Sequence, residues 1–430
     1  MTSIIVSMLG ARMHYAAPGI LTRAGRLERF FTDLSAANGL PCWLRAIPSA
    51  LRPVAVKRVL ARVPSGVPVA RTTAFNIFGF QYARRRKAAR NTSEMTRTFL
   101  WANRRFGELV SASDWGGADS VFTFNGAGLE ILERARREEL GTVMEQTIAP
   151  SAIEQQLLRD EQRLHPGWEQ PLEDGFAAEF SRREQDEWPL ADLILCGSDF
   201  VREGIRNCGG PAEKCVVVPY GVDVPEDSLA SKVQSPKSKI QSLGSRRPDE
   251  VATINLHPST LNRPLRVLTV GTVGLRKGAP YVLAAAKHLK GKAVFRMVGS
   301  IGVTREAEAQ LREHLELTGP VPRSEVAQHF EWADVFLLPS LCEGSATVTY
   351  EALGHGLPVV CTPNTGSVVR DGLEGFIVPA RDTMALVERL ETLLMDPALL
   401  RSLSLNARNR ADEYTVAEYG RRLLAALPLG

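Results

Sequence analysis

Cysteine is scarce in this chain of 430 residues, and the six that occur, Cys42, Cys196, Cys208, Cys215, Cys342 and Cys361, form no CxxC pair. Scattered thiols, several inside apolar runs, point to reduced and buried side chains and away from a disulfide framework or a zinc site. Long apolar runs are missing as well. None approaches the ~20 residues needed to span a bilayer, and the opening stretch SIIVSMLG reads as a strand without the long hydrophobic region and cleavage site of a secretion signal. The expectation is a cytoplasmic protein. Asp-x-Asp is absent and no His, Cys or acid cluster has metal-ligand spacing, so no metal cofactor is expected. GTVGLRKG is not GxGxxG, which argues against a dinucleotide-dependent dehydrogenase. No repeat of solenoid period occurs.

What the chain does have is alternation. SIIVSML, VFTFNG, GTVMEQT, ADLILCGS and CVVVPYG in the first half, and RVLTVGTVG, VFRMVGS, VFLLPS, PVVCTP and GFIVP in the second, are short apolar runs separated by helical stretches. Runs of this kind are strands buried on both faces of parallel sheets, so the fold class is α/β with two doubly wound domains. The length suits two domains of ordinary size. The first occupies residues 1–225 and the second 263–410. Residues 226–262, rich in Ser with several Pro and Lys, form the linker between them.

The most informative stretch is ADVFLLPSLCEGSATVTYEALGHGLPVV. The run at 335–338, closed by Pro339, predicts a strand; a loop follows, then a helix capped by Ser345 or Thr347 and ending near Gly354, then a strand at 358–361. The helix start at Gly344, Ser345, Ala346 and Thr347 would present backbone N–H groups beyond the strand's carboxyl end, where an anion is favoured. Glu351 stands one turn after Thr347 on the same face, so its oxygens could accept hydrogen bonds from a vicinal diol such as a ribose. Glu343, in the loop, could meet a sugar. Taken singly, either glutamate could equally be a solvated surface acid. A second cluster, GTVGLRKGAP, follows another predicted strand: Gly271, Gly274 and Gly278 let a loop approach a ligand closely, and Arg276 and Lys277 suit a diphosphate.

The spacing of Glu343, seven residues and Glu351, followed by Ala352, Gly356, Pro358 and DGLEGFIVP, resembles the donor-binding signature of retaining glycosyltransferases of the GT-B fold, in the family-four group. The resemblance runs from about Pro189 to the C-terminus and includes ADLILCGSDFVREGI, VVVPYGVD, the MVGS strand end and LTGPVPRSEVAQHFEWADVFLLPS. It implies two Rossmann-like domains facing across a cleft, with a nucleotide-sugar donor in the C-terminal domain and the acceptor, a saccharide, a lipid-linked molecule or a small molecule, in the N-terminal one. It also implies transfer with retention, without a metal and with UDP as the commonest donor nucleotide. A final helix at 412–427 would cross back onto the N-terminal domain.

By the same resemblance Lys277 and Gly278 match the lysine and glycine that hold the donor diphosphate. Thr272 stands where the family has its arginine, and Arg276 is the candidate substitute. Glu343 would face the donor sugar, Glu351 the ribose, and main chain near Val321 the base. The acceptor side departs from the family pattern, with His14 in the loop after the first strand and Glu145 at the end of a middle strand as candidates. A nucleotide-sugar epimerase or hydrolase, and a non-catalytic subunit of a transferase complex, are the rival readings.

Charge is unevenly spread. Residues 45–105 carry 14 Lys and Arg against a single acid, Glu94, while residues 126–190 carry 15 acids against 7 bases. Within the basic stretch, SALRPVAVKRVLARV interleaves cations with Leu and Val, a pattern suited to an anionic membrane surface where a lipid-linked acceptor would be met. Peripheral contact with a membrane through residues 45–105 is therefore one expectation, a solvated face or a site for an anionic saccharide the other. A nucleic-acid partner is not expected.

Overall fold

In the computed structural model, residues 2–37, 39–48, 51–223 and 263–428 are described. The linker at 226–262 lies outside them. Among these residues the N-terminal half forms a seven-stranded sheet from β1 (Ile4–Met8), β2 (Leu27–Thr32), β3 (Thr72–Ala74), β4 (Ser120–Phe124), β5 (Gly141–Gln146), β6 (Leu193–Cys196) and β7 (Cys215–Val217). Its order is β3-β2-β1-β4-β5-β6-β7, with every pairing parallel. The C-terminal half forms a six-stranded parallel sheet, β8 (Leu265–Val270), β9 (Ala293–Val298), β10 (Glu316–Gly319), β11 (Val335–Leu338), β12 (Val359–Cys361) and β13 (Gly375–Ile377), in the order β10-β9-β8-β11-β12-β13. The doubly wound α/β expectation holds for both sheets. Three strands escaped the apolar-run criterion. β2 carries Glu28 and Arg29 in its interior, β3 is a three-residue edge strand, and β10 is only ELTG.

The halves are bound to each other by more than a linker. The helix Val416–Ala426, capped by Thr415, lies on the N-terminal domain: Tyr419 stacks edge-on against Tyr220 at 5.8 Å, and Gly420 faces Ile20 closely enough that a Cβ there would sit 3.2 Å from it. It begins later than the sequence suggested, because Asp412 still belongs to the preceding helix, Pro397–Asp412. One core cluster consequently runs from Val6 and Phe122 through Tyr220 and Tyr419 to Tyr350 and Phe336 of the other sheet. A second bond is the arm formed by the helix Ser151–Leu164 and the turn after it. Trp168 is buried in the core of the C-terminal domain with Leu265, Val273 and Leu275, although it precedes the linker.

Candidate functional site

In each sheet the strand order reverses between two neighbours, β1 beside β4 and β8 beside β11. Connections leave such a pair in opposite directions and open a crevice at the carboxyl ends, the usual ligand position in open α/β sheets. Here the two crevices face one another. A cavity of about 680 Å³ is walled by Gly10 and Arg12 after β1, Asn125 after β4, Arg276 and Lys277 after β8, and Glu343 to Thr347 after β11.

On the C-terminal side the loops are packed tightly. Gly278 has φ +73° and a Cβ there would lie 2.2 Å from the Pro339 carbonyl oxygen, so the basic loop can lie against the β11 loop only with glycine at this point. That approach brings Lys277 Nζ to 2.8 Å and Arg276 Nη1 to 3.1 Å from Glu343 Oε1, and Arg276 also donates to the Cys342 carbonyl at 2.9 Å. Lys277 and Glu343 are both buried. The sequence placed these three residues in two separate motifs, and the structure joins them into one ion-paired cluster.

Gly344, Ser345, Ala346 and Thr347 also line this cavity. Gly344 touches the N-terminal domain: a Cβ would fall 1.9 Å from the Thr147 carbonyl oxygen, and its own carbonyl accepts a 2.5 Å bond from Ser198 Oγ. The helix is Thr347–Gly354, but neither proposed cap acts as one. Ala346 holds the N-cap position without a side-chain bond, while the Ser345 hydroxyl is engaged with Tyr350 Oη at 2.5 Å. Thr347, at the first helical position, has an amide without an intrahelical acceptor.

Glu351 opens onto a different space. A second cavity of about 460 Å³ is lined by His14, Tyr15, Arg323, Thr347 and Glu351, and meets the first at Thr347. Glu351 is buried, and the Arg323 guanidinium holds both its oxygens, at 2.6 and 3.1 Å. A diol would have to share those oxygens with the guanidinium or displace it. His14 lies in a run of three non-glycine residues with positive φ, Met13 at 46°, His14 at 49° and Tyr15 at 65°. Backbone of this kind costs about 1–3 kcal/mol per residue. The bond from Arg62 Nε to Tyr15 Oη, 2.8 Å, helps to hold it.

Three candidates fall outside both cavities. Glu145 is buried beneath the C-terminal helix, where its Oε1 accepts from Tyr220 Oη at 2.6 Å; burial pushes its carboxyl up to about 7, opposed by the Tyr220 bond and by Arg12. It belongs to the core and does not line the cleft, because the strand end that carries it is closed over by Tyr220 and Tyr419. Gly274 faces Glu169, whose Oε1 would be 2.5 Å from a Cβ there. Val321 packs on the core cluster that joins the domains.

Sequence reasoning missed two acids that line the cleft, Glu154 and Asp33, and a third, Glu169, behind the basic loop. Glu154, on the first turn of the helix Ser151–Leu164, lies 3.7 Å from Arg276 Nε. Asp33 pairs with Arg62 in the wall of the first cavity and accepts from the Gly10 amide at 3.0 Å. Glu169 accepts from the Leu275 amide at 2.6 Å, at the head of the turn that carries Arg276 and Lys277. None belongs to a local motif, since each partner is distant in sequence.

Residues 264–396 match the family described as Glycosyl transferases group 1. A putative colanic acid biosynthesis glycosyltransferase of Salmonella typhimurium is 29% identical over 255 residues, 55% of this chain and 56% of that protein. The UDP-Gal:alpha-D-GlcNAc-diphosphoundecaprenol alpha-1,3-galactosyltransferase of Escherichia coli is 28% identical over 210 residues, 46% of this chain and 49% of that one. The chain thus spans about half the length of the curated relatives it matches. Among solved structures, Anabaena HepE in complex with UDP superposes with a TM-score of 0.59 at 15% identity, covering 99% of this chain and 100% of the other. At that identity the likeness is one of fold.

Proposed function

We infer that this chain, whose C-terminal domain belongs to the group 1 glycosyltransferases and whose two domains have the GT-B architecture, moves a sugar from a nucleotide-diphosphate sugar to an acceptor hydroxyl. The observation that carries the reading is the Arg276, Lys277 and Glu343 cluster, set by the β8 and β11 loops opposite the β1 and β4 loops of the other domain. Two cations, the buried Lys277 and the partly exposed Arg276, held in the cleft are suited to the charge that develops on a departing diphosphate. The nucleoside is assigned to the cavity of Glu351 and the sugar to that of Glu343, with the diphosphate passing Thr347. Transfer proceeds with retention and without a metal: Lys277, Arg276 and the helix start at Thr347 supply the positive charge that a divalent ion would otherwise bring.

A thermal-shift screen against UDP-, GDP- and ADP-sugars in EDTA tests this directly. One nucleotide is expected to stabilise the protein, by about 2.7 kcal/mol at a hundred times its Kd, with UDP favoured. No response to any of the three in EDTA, with or without added Mg²⁺, would overturn the assignment. A response that needs Mg²⁺ would overturn metal independence alone.

The acceptor is assigned to the membrane surface as a lipid-linked saccharide. Among the described residues no helix is long and apolar enough to cross a membrane. The basic segment instead exposes large apolar side chains among its cations: Leu51 is 72% exposed and Ile77 77%, with Val69 and Phe80 also open, and Trp43 just ahead of it is 80% exposed. Apolar groups that dip into the headgroup region beside arginines attracted to anionic lipid are a means of peripheral attachment. Co-sedimentation with vesicles containing phosphatidylglycerol is expected at low salt and should fall as ionic strength rises. Absence of binding at low salt would refute membrane attachment.

A further inference from the structure

Arg276 is shared between the two domains. Its Nη1 lies 3.1 Å from Glu343 Oε1 of the C-terminal domain, and its Nε 3.7 Å from Glu154 Oε1 of the N-terminal domain. The cluster of Glu154, Glu343, Arg276 and Lys277 therefore holds two acids and two bases before any ligand arrives. A diphosphate entering this cavity brings at least two further negative charges beside Arg276 and Lys277. Glu343 keeps access to sugar hydroxyls under the reading above, whereas Glu154 loses its ion-pair partner among the described residues once Arg276 turns to the phosphates. Glu154 is in place for that change: it lines the same cavity, its side chain is 28% exposed, and it sits on the first turn of a helix.

We propose that Glu154 is a diphosphate-binding residue of this site, releasing Arg276 to the donor phosphates and then, as the neutral acid, donating a hydrogen bond to a phosphate oxygen. The inference rests on the nucleotide-sugar reading. Burial already raises the Glu154 carboxyl above the ordinary carboxylate range in the empty site; Arg276 opposes that, and Glu343 and Glu184 add to it. Those are the charged groups that face it. Exchange of Arg276 for phosphate removes the opposing cation and adds like charge, and both changes favour the protonated form. Donor binding is then coupled to uptake of one proton. Because the complex holds the proton more tightly than the empty site, the contribution to affinity is full below the empty-site value. It is lost as pH rises towards the higher value in the complex.

The test is calorimetric titration of the full chain with UDP, and with inorganic pyrophosphate so that the choice of nucleoside does not matter, between pH 5.5 and 8.5. Wild type is compared with Glu154→Gln, which keeps a hydrogen-bond donor and cannot ionise. The ratio of wild-type to variant Kd is expected to rise by up to about tenfold per pH unit within the linked window, the ligand's own ionisation cancelling between the two proteins. Glu154→Gln should bind more tightly than wild type at pH 8. The buffer dependence of the heats should show wild type taking up as much as one proton more than the variant. A ratio independent of pH, or weaker binding by Glu154→Gln at pH 8 in a variant with native circular dichroism, overturns the proposal. Absence of wild-type binding to UDP, GDP, ADP and pyrophosphate alike would overturn the nucleotide-sugar reading along with it.

Discussion

Replacing Glu343 with alanine is expected to lower sugar transfer by about 10²–10³-fold, the range for losing one preorganised polar group at a reacting centre, without weakening the binding of the free nucleotide. This carboxylate is bound to both Lys277 and Arg276. A diphosphate must compete with it for those cations, so its removal leaves UDP affinity unchanged or higher. The sugar, by contrast, loses the group assigned to its hydroxyls. Lys277→Ala should behave in the opposite manner, raising the UDP Kd by about 10–100-fold, as the loss of a charge-assisted contact worth about 1.5–3 kcal/mol implies. Turnover and UDP affinity measured on both variants check the pair. If Glu343→Ala lost UDP affinity as severely as it lost transfer, its role would be phosphate support and the sugar-facing assignment would fail.

Much of this site was legible because parallel strands buried on both faces are nearly pure apolar runs. β8 and β11 announce themselves in the sequence, and the residues just after them are the ones that reach the crevice. Lys277, Glu343 and Thr347 could therefore be singled out by position together with the family resemblance, which alone gave Glu343 its sugar-facing role. Glu145, at another strand end, could be read as lining the cleft or as a structural hydrogen-bond partner, and the local pattern does not choose; Tyr220 and Tyr419, far along the chain, close over it and make it the latter. Glu351 shows a further limit. Helix periodicity set it beside Thr347, and it does share a cavity with that residue, yet nothing in the local pattern shows that Arg323 holds its oxygens. Glu154, Asp33 and Glu169 were invisible, since each gains its role from a partner on another element. The domain boundaries hid the largest surprise, an arm that precedes the linker in sequence but is packed into the second core through Trp168.

That arm supports the second large expected effect, on stability. Glu161 lies on the helix Ser151–Leu164 and is fully buried, yet its partners are in the C-terminal domain: Tyr281 Oη donates to it at 2.8 Å, and Arg381 Nε donates to its other oxygen. Burial and the Glu161 contact together drive the Tyr281 hydroxyl well above its ordinary range, which keeps it the donor. Glu161→Ala would remove the only carboxylate among the described residues that joins these two groups, and leave Arg381 to solvent on its exposed side. Breaking a buried pair costs about 3–5 kcal/mol; with Arg381 34% exposed, the lower end applies. A loss of about 3 kcal/mol corresponds to a fall of about 6–12 °C in the unfolding temperature of a domain of this size. Glu161→Gln keeps an acceptor for Tyr281 and should lose less. Scanning calorimetry decides the matter, and a shift under about 2 °C for the alanine variant would refute the claim that this contact joins the domains. The effect should extend to function, because the same arm carries Glu169 to the Leu275 amide and Glu154 to Arg276. Loosening its anchor at Glu161 therefore loosens the loop that holds Lys277, and UDP affinity should fall along with the unfolding temperature.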